Sequence, residues 1–531
     1  MAIKYNEQQL EAINSTESKI LVLACAGAGK STTLVSRAAR LIKDGVKPNS
    51  ILCLTFTNKA GAEMSEKFKR MFPTVAPVPE FRTFHAFCYS LIVKDAEIRA
   101  AMGYSKIPGI ASDAIVKEAR QTATLQTKIM LSDDILSGKT PCPPRDRYKL
   151  ETWKKAYKKY LARLDVITFD IMSEEVSLLF TSKHSSTDKY KNQYKHIMVD
   201  EFQDTDQTQF RFVASFKGAN WFFVGDALQN LYSFRGTSNK YIKMLSEDPE
   251  WHKIRMDQNY RSTRQICEFA NKMSHYAKDT YRLELKGQRD GLPVTVCTGG
   301  VTSFNYPVYQ DHMNHVIKHL DVCRDTSAAI LCRTNNEVNW VVRHLAQKGI
   351  ACTNSRKQTI IIPLIKSAGD LAYEMEYLAS NLTKDNYNKW IMTSYGQNLT
   401  IEDFLKMFEN NVDVTRTHKK IEKIREILNT SEDAESKAKL ILEKFKLLNV
   451  SCTPEENTPA SIISALVESI ESFQESSLYV GTIHSVKGLE YDTVFVLGAD
   501  QGVWTLDCED NLNLYYVAIT RAKEHLFVYK R

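Results

Sequence analysis

Two rhythms of apolar and polar positions run along this chain. One is short unbroken apolar runs; the other is amphipathic stretches with a helical period. Ile20-Leu21-Val22-Leu23-Ala24 is a continuous apolar run, which predicts a strand buried on both faces. Between residues 30 and 44, Leu34, Val35, Ala38, Leu41 and Ile42 recur at helical spacing, and Gly45 suits a C-terminal cap. Ser50–Thr57 predicts a second strand and Asn58–Phe72 a second helix. A strand–helix–strand–helix order predicts a parallel sheet with crossover helices.

From about residue 88 to 190 the strand signals give way to charged, helical patterning, broken at Pro141-Cys142-Pro143-Pro144. Strands return at Ile197–Val199 and Trp221–Val224. A second α/β unit is expected from near residue 252, with a strand at Ala328–Cys332 and a helix after Asn335. Residues 375–470 are again charged and helical, with Ile421, Ile424 and Leu428 on one face. Strands resume at Leu478–Gly481 and Thr493–Leu497, a helix follows near 511–523, and His525–Tyr529 is the last strand. The fold class expected is α/β with two parallel-sheet domains. Residues 1–87 and 191–250 form the first and 251–374 with 471–531 the second. Each carries a mainly helical insertion, 88–190 in the first and a shorter 375–470 in the second.

Length and composition agree with several soluble domains. The 531 residues are 43% hydrophobic and 25% charged. No apolar run reaches the ~18 residues that span a bilayer. The start, Met1-Ala2-Ile3-Lys4-Tyr5-Asn6, lacks the apolar core of a signal peptide, so an intracellular protein is expected. A net charge of +7 suits a polyanionic partner without demanding one. The eleven cysteines include no C-x-x-C pair, which argues against a zinc or iron–sulfur site.

Chemistry enters where the first strand ends. Ala24-Cys25-Ala26-Gly27-Ala28-Gly29-Lys30-Ser31 joins that strand to the first helix, the context a phosphate-binding loop requires. Its glycines let backbone N–H groups wrap a phosphate, and the helix N-terminus adds positive potential. Lys30 would reach the β- and γ-phosphates of ATP, Ser31 would ligate Mg²⁺, and Thr32 completes the loop. Ala24 stands where the strict motif has glycine. Further on, His196-Ile197-Met198-Val199 runs into Asp200-Glu201-Phe202-Gln203-Asp204. Carboxylates at the end of a buried strand need a cation or a task. Asp200 would hold Mg²⁺ through water, and Glu201 would orient and deprotonate the attacking water.

With these two motifs in order, the whole chain resembles the UvrD/Rep/PcrA group of superfamily 1A DNA helicases. The resemblance implies two RecA-like P-loop NTPase domains and assigns further roles. Tyr5-Asn6-Glu7-Gln8-Gln9 matches the Q motif, where Gln9 would read adenine. Thr55-Phe56-Thr57-Asn58 and Thr83-Phe84-His85 match segments that touch single-stranded DNA. Asp226 to Gln229, continuing through Tyr232-Ser233-Phe234-Arg235-Gly236, matches motif III. There Gln229 would couple the γ-phosphate to DNA, and Tyr232, Phe234 and Arg235 would lie near the bases. In Asn259-Tyr260-Arg261-Ser262, Tyr260 would stack on adenine and Arg261 would meet the γ-phosphate. In the motif from Gly481 to Glu490, Thr482 and His484 would approach DNA and Glu490 the ribose. In Tyr516-Val517-Ala518-Ile519-Thr520-Arg521, Arg521 would be the transition-state finger. The ATP-binding set is then Gln9, Ala24, Ala26, Gly27, Ala28, Gly29, Lys30, Ser31, Thr32, Tyr260, Arg261, Glu490 and Arg521. The resemblance places Arg261 and Arg521 on the second domain and implies 3′→5′ movement on single-stranded DNA.

Three alternatives stay open at this point. One is an ATPase that translocates without separating strands. Another is a motor or regulator serving a partner nuclease, in a phage, mobile-element or anti-phage setting. A small-molecule kinase is the most distant, because it explains none of the DNA-facing motifs. The basic stretch Arg145–Arg163 places Trp153, Tyr157, Tyr160 and Leu164 at helical spacing, which predicts a buried face with solvated lysines opposite.

Overall fold

A computed structural model of the protein describes residues 4–136, 142–182, 184–231, 239–274, 283–298, 307–320, 326–347, 350, 352–354, 478–498 and 509–530. The expected insertion 375–470 lies outside the described residues. The chain divides into two compact units, Met1–Val294 with Gln501–His525, and Thr295–Asp500 with Leu526–Arg531.

The first unit is built on a six-stranded parallel sheet. Its strands are β1 (Lys19–Ala24), β2 (Ile51–Thr55), β3 (Glu80–Thr83), β4 (His196–Val199), β5 (Asn220–Gly225) and β6 (His252–Met256), in the order β3-β2-β4-β5-β1-β6. Ile20, Leu21, Val22 and Ala24 of β1 are buried, as are all five residues of β2. Both strands therefore read as apolar runs, with helices covering both faces. Helices Lys30–Lys43 and Asn58–Met71 are the crossovers that the periodicity predicts.

β6 lies past the boundary expected at residues 250 and 251. It pairs in parallel with β1, Ile20 opposite His252 through Ala24 opposite Met256, so the first sheet extends past the predicted junction. A five-residue strand with the pattern His-Lys-Ile-Arg-Met buries only Ile254 and Met256. That alternation marks an edge strand and says nothing about which sheet it joins.

The described residues between 88 and 190 are mainly helical, with one short strand pair, Gly109–Ile110 and Val166–Ile167. Helix Arg147–Arg163 buries Trp153, Tyr157 and Leu161. Trp153 and Tyr157 stack at 5.0 Å, and the Trp153 indole donates to Thr124 Oγ1 at 3.0 Å. The predicted face is thus rotated slightly. Leu161 fills the position expected of Leu164, which is exposed beyond the last helical turn, and the half-buried Tyr160 donates to Glu118. Lys154 pairs with Glu174 at 2.9 Å and Lys158 with Glu174 and Glu175, so these lysines join two helices.

The second unit has its own six-stranded sheet. Its strands are β7 (Thr295–Thr298), β8 (Ala328–Cys332), β9 (Thr353–Asn354), β10 (Leu478–Thr482), β11 (Tyr491–Val496) and β12 (Ala522–Lys530), in the order β7-β12-β11-β8-β10-β9. All five residues of β8 are buried, and Ile330, Val480 and Phe495 centre its core. The last helix is Glu509–Ile519, ending before the predicted 523 because β12 begins at Ala522. That helix packs against residues 227–229 and helix Arg264–Ser274 of the first unit. Part of the segment 471–531, expected in the second domain, therefore clusters with the first. Among the described residues, no helix is long and apolar enough to cross a membrane.

Candidate nucleotide and nucleic-acid site

β1 ends at Ala24, and the chain turns through Cys25–Gly29 into helix Lys30–Lys43. Gly27 and Gly29 have φ of +70° and +82°, a region costly to side chains with a Cβ. Space adds a second requirement. A Cβ at Gly27 would lie 2.8 Å from Asn259 Nδ2, and one at Gly29 would lie 2.8 Å from Gln9 Nε2. Ala24, Ala26 and Ala28 are buried beneath the loop. Gly29 is the N-cap and offers no side-chain cap. The first helical bond runs from Thr33 N–H to the Gly29 carbonyl, so the amides of Lys30, Ser31 and Thr32 precede the ladder. An open, glycine-led helix N-terminus is an anion site.

Carboxylates stand at the ends of the neighbouring strands. Asp200 follows β4 and is 5% exposed. Glu201 has φ +51°, a left-handed conformation unusual for a residue with a side chain. Such outliers persist where the surroundings hold them, often at functional sites. Its carboxylate accepts from Gln203 Nε2 at 2.5 Å and lies 3.6 Å from Lys30 Nζ. Asp226 follows β5. Burial raises its carboxyl above the usual range, opposed by Lys30 and by the hydrogen bond from Gln229. A divalent cation fits this donor set, with the Ser31 hydroxyl at the helix start and Asp200 as the anionic ligand. Among the described residues no group of three or more His, Cys, Asp or Glu side chains could hold a metal. Phosphate oxygens and water would complete such a site.

Both expected arginines come to this loop within the first unit. The Tyr260 amide donates to the Gly27 carbonyl at 3.0 Å, and Asn259 Nδ2 donates to the Ala26 carbonyl at 2.7 Å. The Arg261 guanidinium donates to the Thr520 carbonyl at 2.9 Å. Arg521 is 1% exposed and donates through Nη2 to Gln229 Oε1 at 3.2 Å. Gln229 Nε2 donates to Asp226 Oδ2 at 2.7 Å. Burial pulls the Arg521 guanidinium down from its ordinary value to about 9, and the neighbouring Arg261 adds to this. Two cations facing each other in a buried site favour an anion between them. By contacts both arginines group with the first sheet, whereas the resemblance places them on the second domain. β6 joins the first sheet and brings the motif after it along, and helix Glu509–Ile519 packs on the same unit.

The Gln9 side chain is buried. It donates to the Ala28 carbonyl at 3.1 Å and closes a capping box with Asn6, so it braces the loop. Tyr260 is 46% exposed, its hydroxyl held by Asn6 and Gln258 at 2.8 Å each. Glu490 is exposed just before β11 of the second unit.

The DNA-facing candidates of the first unit line the ends of β2 and β3. Thr57 and Thr83 cap the following helices through Ala60 and Ala86 amides, and Thr83 donates to Asn58 Oδ1 at 3.1 Å. Phe84 is a correction. It is 5% exposed and packs edge-on against Phe212 at 5.1 Å, so its ring belongs to the core. The half-buried His85 packs edge-on against Phe169 at 5.4 Å. Thr482 and His484 occupy the end of β10 and its following turn in the second unit. Tyr232, Phe234 and Arg235 lie outside the described residues.

Known protein families match this arrangement. The UvrD/REP helicase N-terminal domain matches residues 5–250, and the UvrD-like helicase C-terminal domain matches residues 364–531. The chain belongs to the UvrD/Rep helicase family. Curated relatives are each named ATP-dependent DNA helicase PcrA. The Staphylococcus epidermidis protein is 26% identical, with 98% of this chain and 83% of that protein covered. The Leuconostoc citreum protein is 27% identical, with 98% and 81% covered. The first alignment runs over 624 positions and this helicase-family chain has 531 residues. The relative therefore carries residues inside the matched region that this chain lacks.

One surface residue has no signal in the sequence. Phe169 starts helix Phe169–Thr181, is 50% exposed and contacts His85. A single aromatic in a first helical turn has no periodic signature, so only its neighbour reveals it. Asp226 is visible in the sequence as part of motif III, but its place as the hub between Gln229 and the loop depends on tertiary structure.

Proposed function

We propose that this chain is an ATP-driven DNA motor that grips single-stranded DNA, moves 3′→5′ and separates duplex strands. The observation that carries the reading is the convergence of Lys30, Glu201, Asp226, Gln229 and Arg521 around one glycine-led helix N-terminus. Lys30 and the loop amides bind the triphosphate of ATP. Glu201 takes the proton of the attacking water, held in place by Gln203. Arg261 and Arg521 neutralise charge as the γ-phosphoryl group transfers. Ser31 and Asp200 would hold Mg²⁺, which supplies electrostatic stabilisation of the phosphates. Tyr260 stacks on adenine. On the DNA side, Thr57, Asn58, Thr83, His85, Thr482 and His484 contact the strand. Phe169 offers a half-exposed ring on which a base stacks, a sequence-tolerant grip.

The family membership and the shared name of the relatives support the substrate, DNA, and the intracellular setting that DNA implies. The 3′→5′ direction rests on resemblance to the group. Strand separation with 3′-tailed and 5′-tailed duplexes, with ATP turnover followed in parallel, tests the reading. Unwinding of the 3′-tailed duplex alone is expected. A 5′ preference, or turnover indifferent to DNA, would overturn it. One observation favours a second reading, a translocase that needs a partner such as a nuclease to open duplex. Relatives carry extra residues within the matched region, and DNA-stimulated turnover without unwinding would select that reading.

A further inference from the structure

Both arginines of the nucleotide site are tied to a single residue of the phosphate loop, Ala26. Its carbonyl accepts from Asn259 Nδ2 at 2.7 Å. Asn259 Oδ1 in turn accepts from the Arg261 and Ser262 amides at 2.9 and 2.7 Å, which fixes the backbone carrying Arg261. The Ala26 N–H donates to the Tyr516 hydroxyl at 3.4 Å, and that hydroxyl donates to Asp226 Oδ2 at 3.3 Å. The same oxygen accepts from Gln229 Nε2, and Gln229 Oε1 accepts from Arg521. Asn259 and Tyr516 are 0% and 1% exposed. Placing a hydroxyl and an amide in so dry a spot is costly unless each is satisfied. A phenylalanine would fill the volume at 516 equally well, so packing alone does not explain the hydroxyl.

We propose that Tyr516 is a positioning residue for ATP hydrolysis, its hydroxyl bracing the Ala26 N–H against Asp226 so that Gln229 and Arg521 stand in register with the phosphates. The inference rests on the nucleotide-site reading above. The hydroxyl lies behind the loop, on a peptide that precedes Gly27, and so touches no reacting atom. Burial, with Asp226 beside it, holds its proton on well above the usual phenol range, which keeps it a donor to the carboxylate. The two bonds it makes are long, and bonds of catalytic networks commonly tighten once substrate is bound.

The test is Tyr516→Phe in the full chain, with steady-state ATP turnover at saturating single-stranded DNA. Expected is a fall in kcat of about tenfold with the KM for ATP changed less than about threefold. The loss should not multiply with that of Gln229→Ala, because both variants break one chain of bonds. Multiplicative losses, or a kcat within about twofold of the parent, would overturn the proposal. A rise in KM with unchanged kcat would overturn it too, by making the hydroxyl a simple binding brace. If Tyr516→Phe fails to fold by thermal melt, Asp226→Asn attacks the same link from the other side and is judged by the same kcat and KM criteria. Lys30→Ala run alongside separates the two levels. Turnover surviving in Lys30→Ala sinks the nucleotide-site reading itself. A dead Lys30→Ala beside a normal Tyr516→Phe sinks only the positioning role.

Discussion

Strand β1 of the first sheet and strand β8 of the second are both interior parallel strands, apolar along their length, and each leads into a helix. The two helix starts differ at one point. After β1 the helix begins on Gly29, with no side chain closing its N-terminus. After β8 the helix Asn335–Gln347 is closed by its own residues. Glu337 accepts from the Arg333 and Thr334 amides at 2.9 Å each, and the Glu337 amide donates to Thr334 Oγ1 at 3.3 Å. The first helix has no side-chain cap over its first-turn amides; the second is closed by a capping box. One packing scheme thus serves two ends, and the chemistry depends on whether the cap is withheld.

The comparison breaks most severely at Lys30. Lys30→Ala should lower DNA-stimulated ATP turnover at least a hundredfold, as loss of a phosphate-clamping charge does, while DNA binding by fluorescence anisotropy persists. Asn335→Ala, at the start of the self-capped helix, should leave turnover unchanged. A shared packing logic is checked by Leu21→Ala and Ile330→Ala, each fully buried in its own sheet. Each should destabilise its unit by about 2–5 kcal/mol in denaturant titrations, and an effect confined to one sheet would contradict the parallel. On the DNA side, Phe169→Ala should weaken single-stranded DNA binding by about 1–3 kcal/mol, one stacked base. Phe84, buried in the core, should show its loss in the melting temperature first. The smallest effect is expected at Glu337→Ala. Opening that cap costs about 0.5–2 kcal/mol of stability, and ATP turnover should stay at the parental rate because no glycine loop or lysine accompanies the freed amides.

The nucleotide site was largely legible because its signals are local. A loop of fixed spacing between an apolar run and a helix names Gly27, Gly29, Lys30 and Ser31 without any long-range contact. The acidic pair Asp200-Glu201 is equally local, although the +51° φ that aims Glu201 is not. The DNA-facing residues were less legible. Phe84 and His85 are adjacent and look alike as candidates, yet one ring is core and the other meets a surface aromatic. A helix start places neighbours on different faces, and the sequence does not say which face the core takes. Helix Arg147–Arg163 makes the same point, since Leu161 and Leu164 both fit a helical period and packing chose Leu161.

The sequence by itself determined the parallel α/β class, the phosphate loop, the acidic strand end and the family, since each is written in short segments whose spacing and apolar rhythm are physical requirements of the element. Tertiary structure alone decided that β6 joins the first sheet and that Arg261 and Arg521 gather with Lys30 in one unit. It also decided that Tyr516 links the phosphate loop to Asp226, and Asp226 to Gln229. The local Asp226–Gln229 bond aside, these pairings join residues 232 to 490 positions apart. Which edge a strand adopts, and which buried donor meets which acceptor, is settled by competition for the same dry interior once the chain has closed on itself.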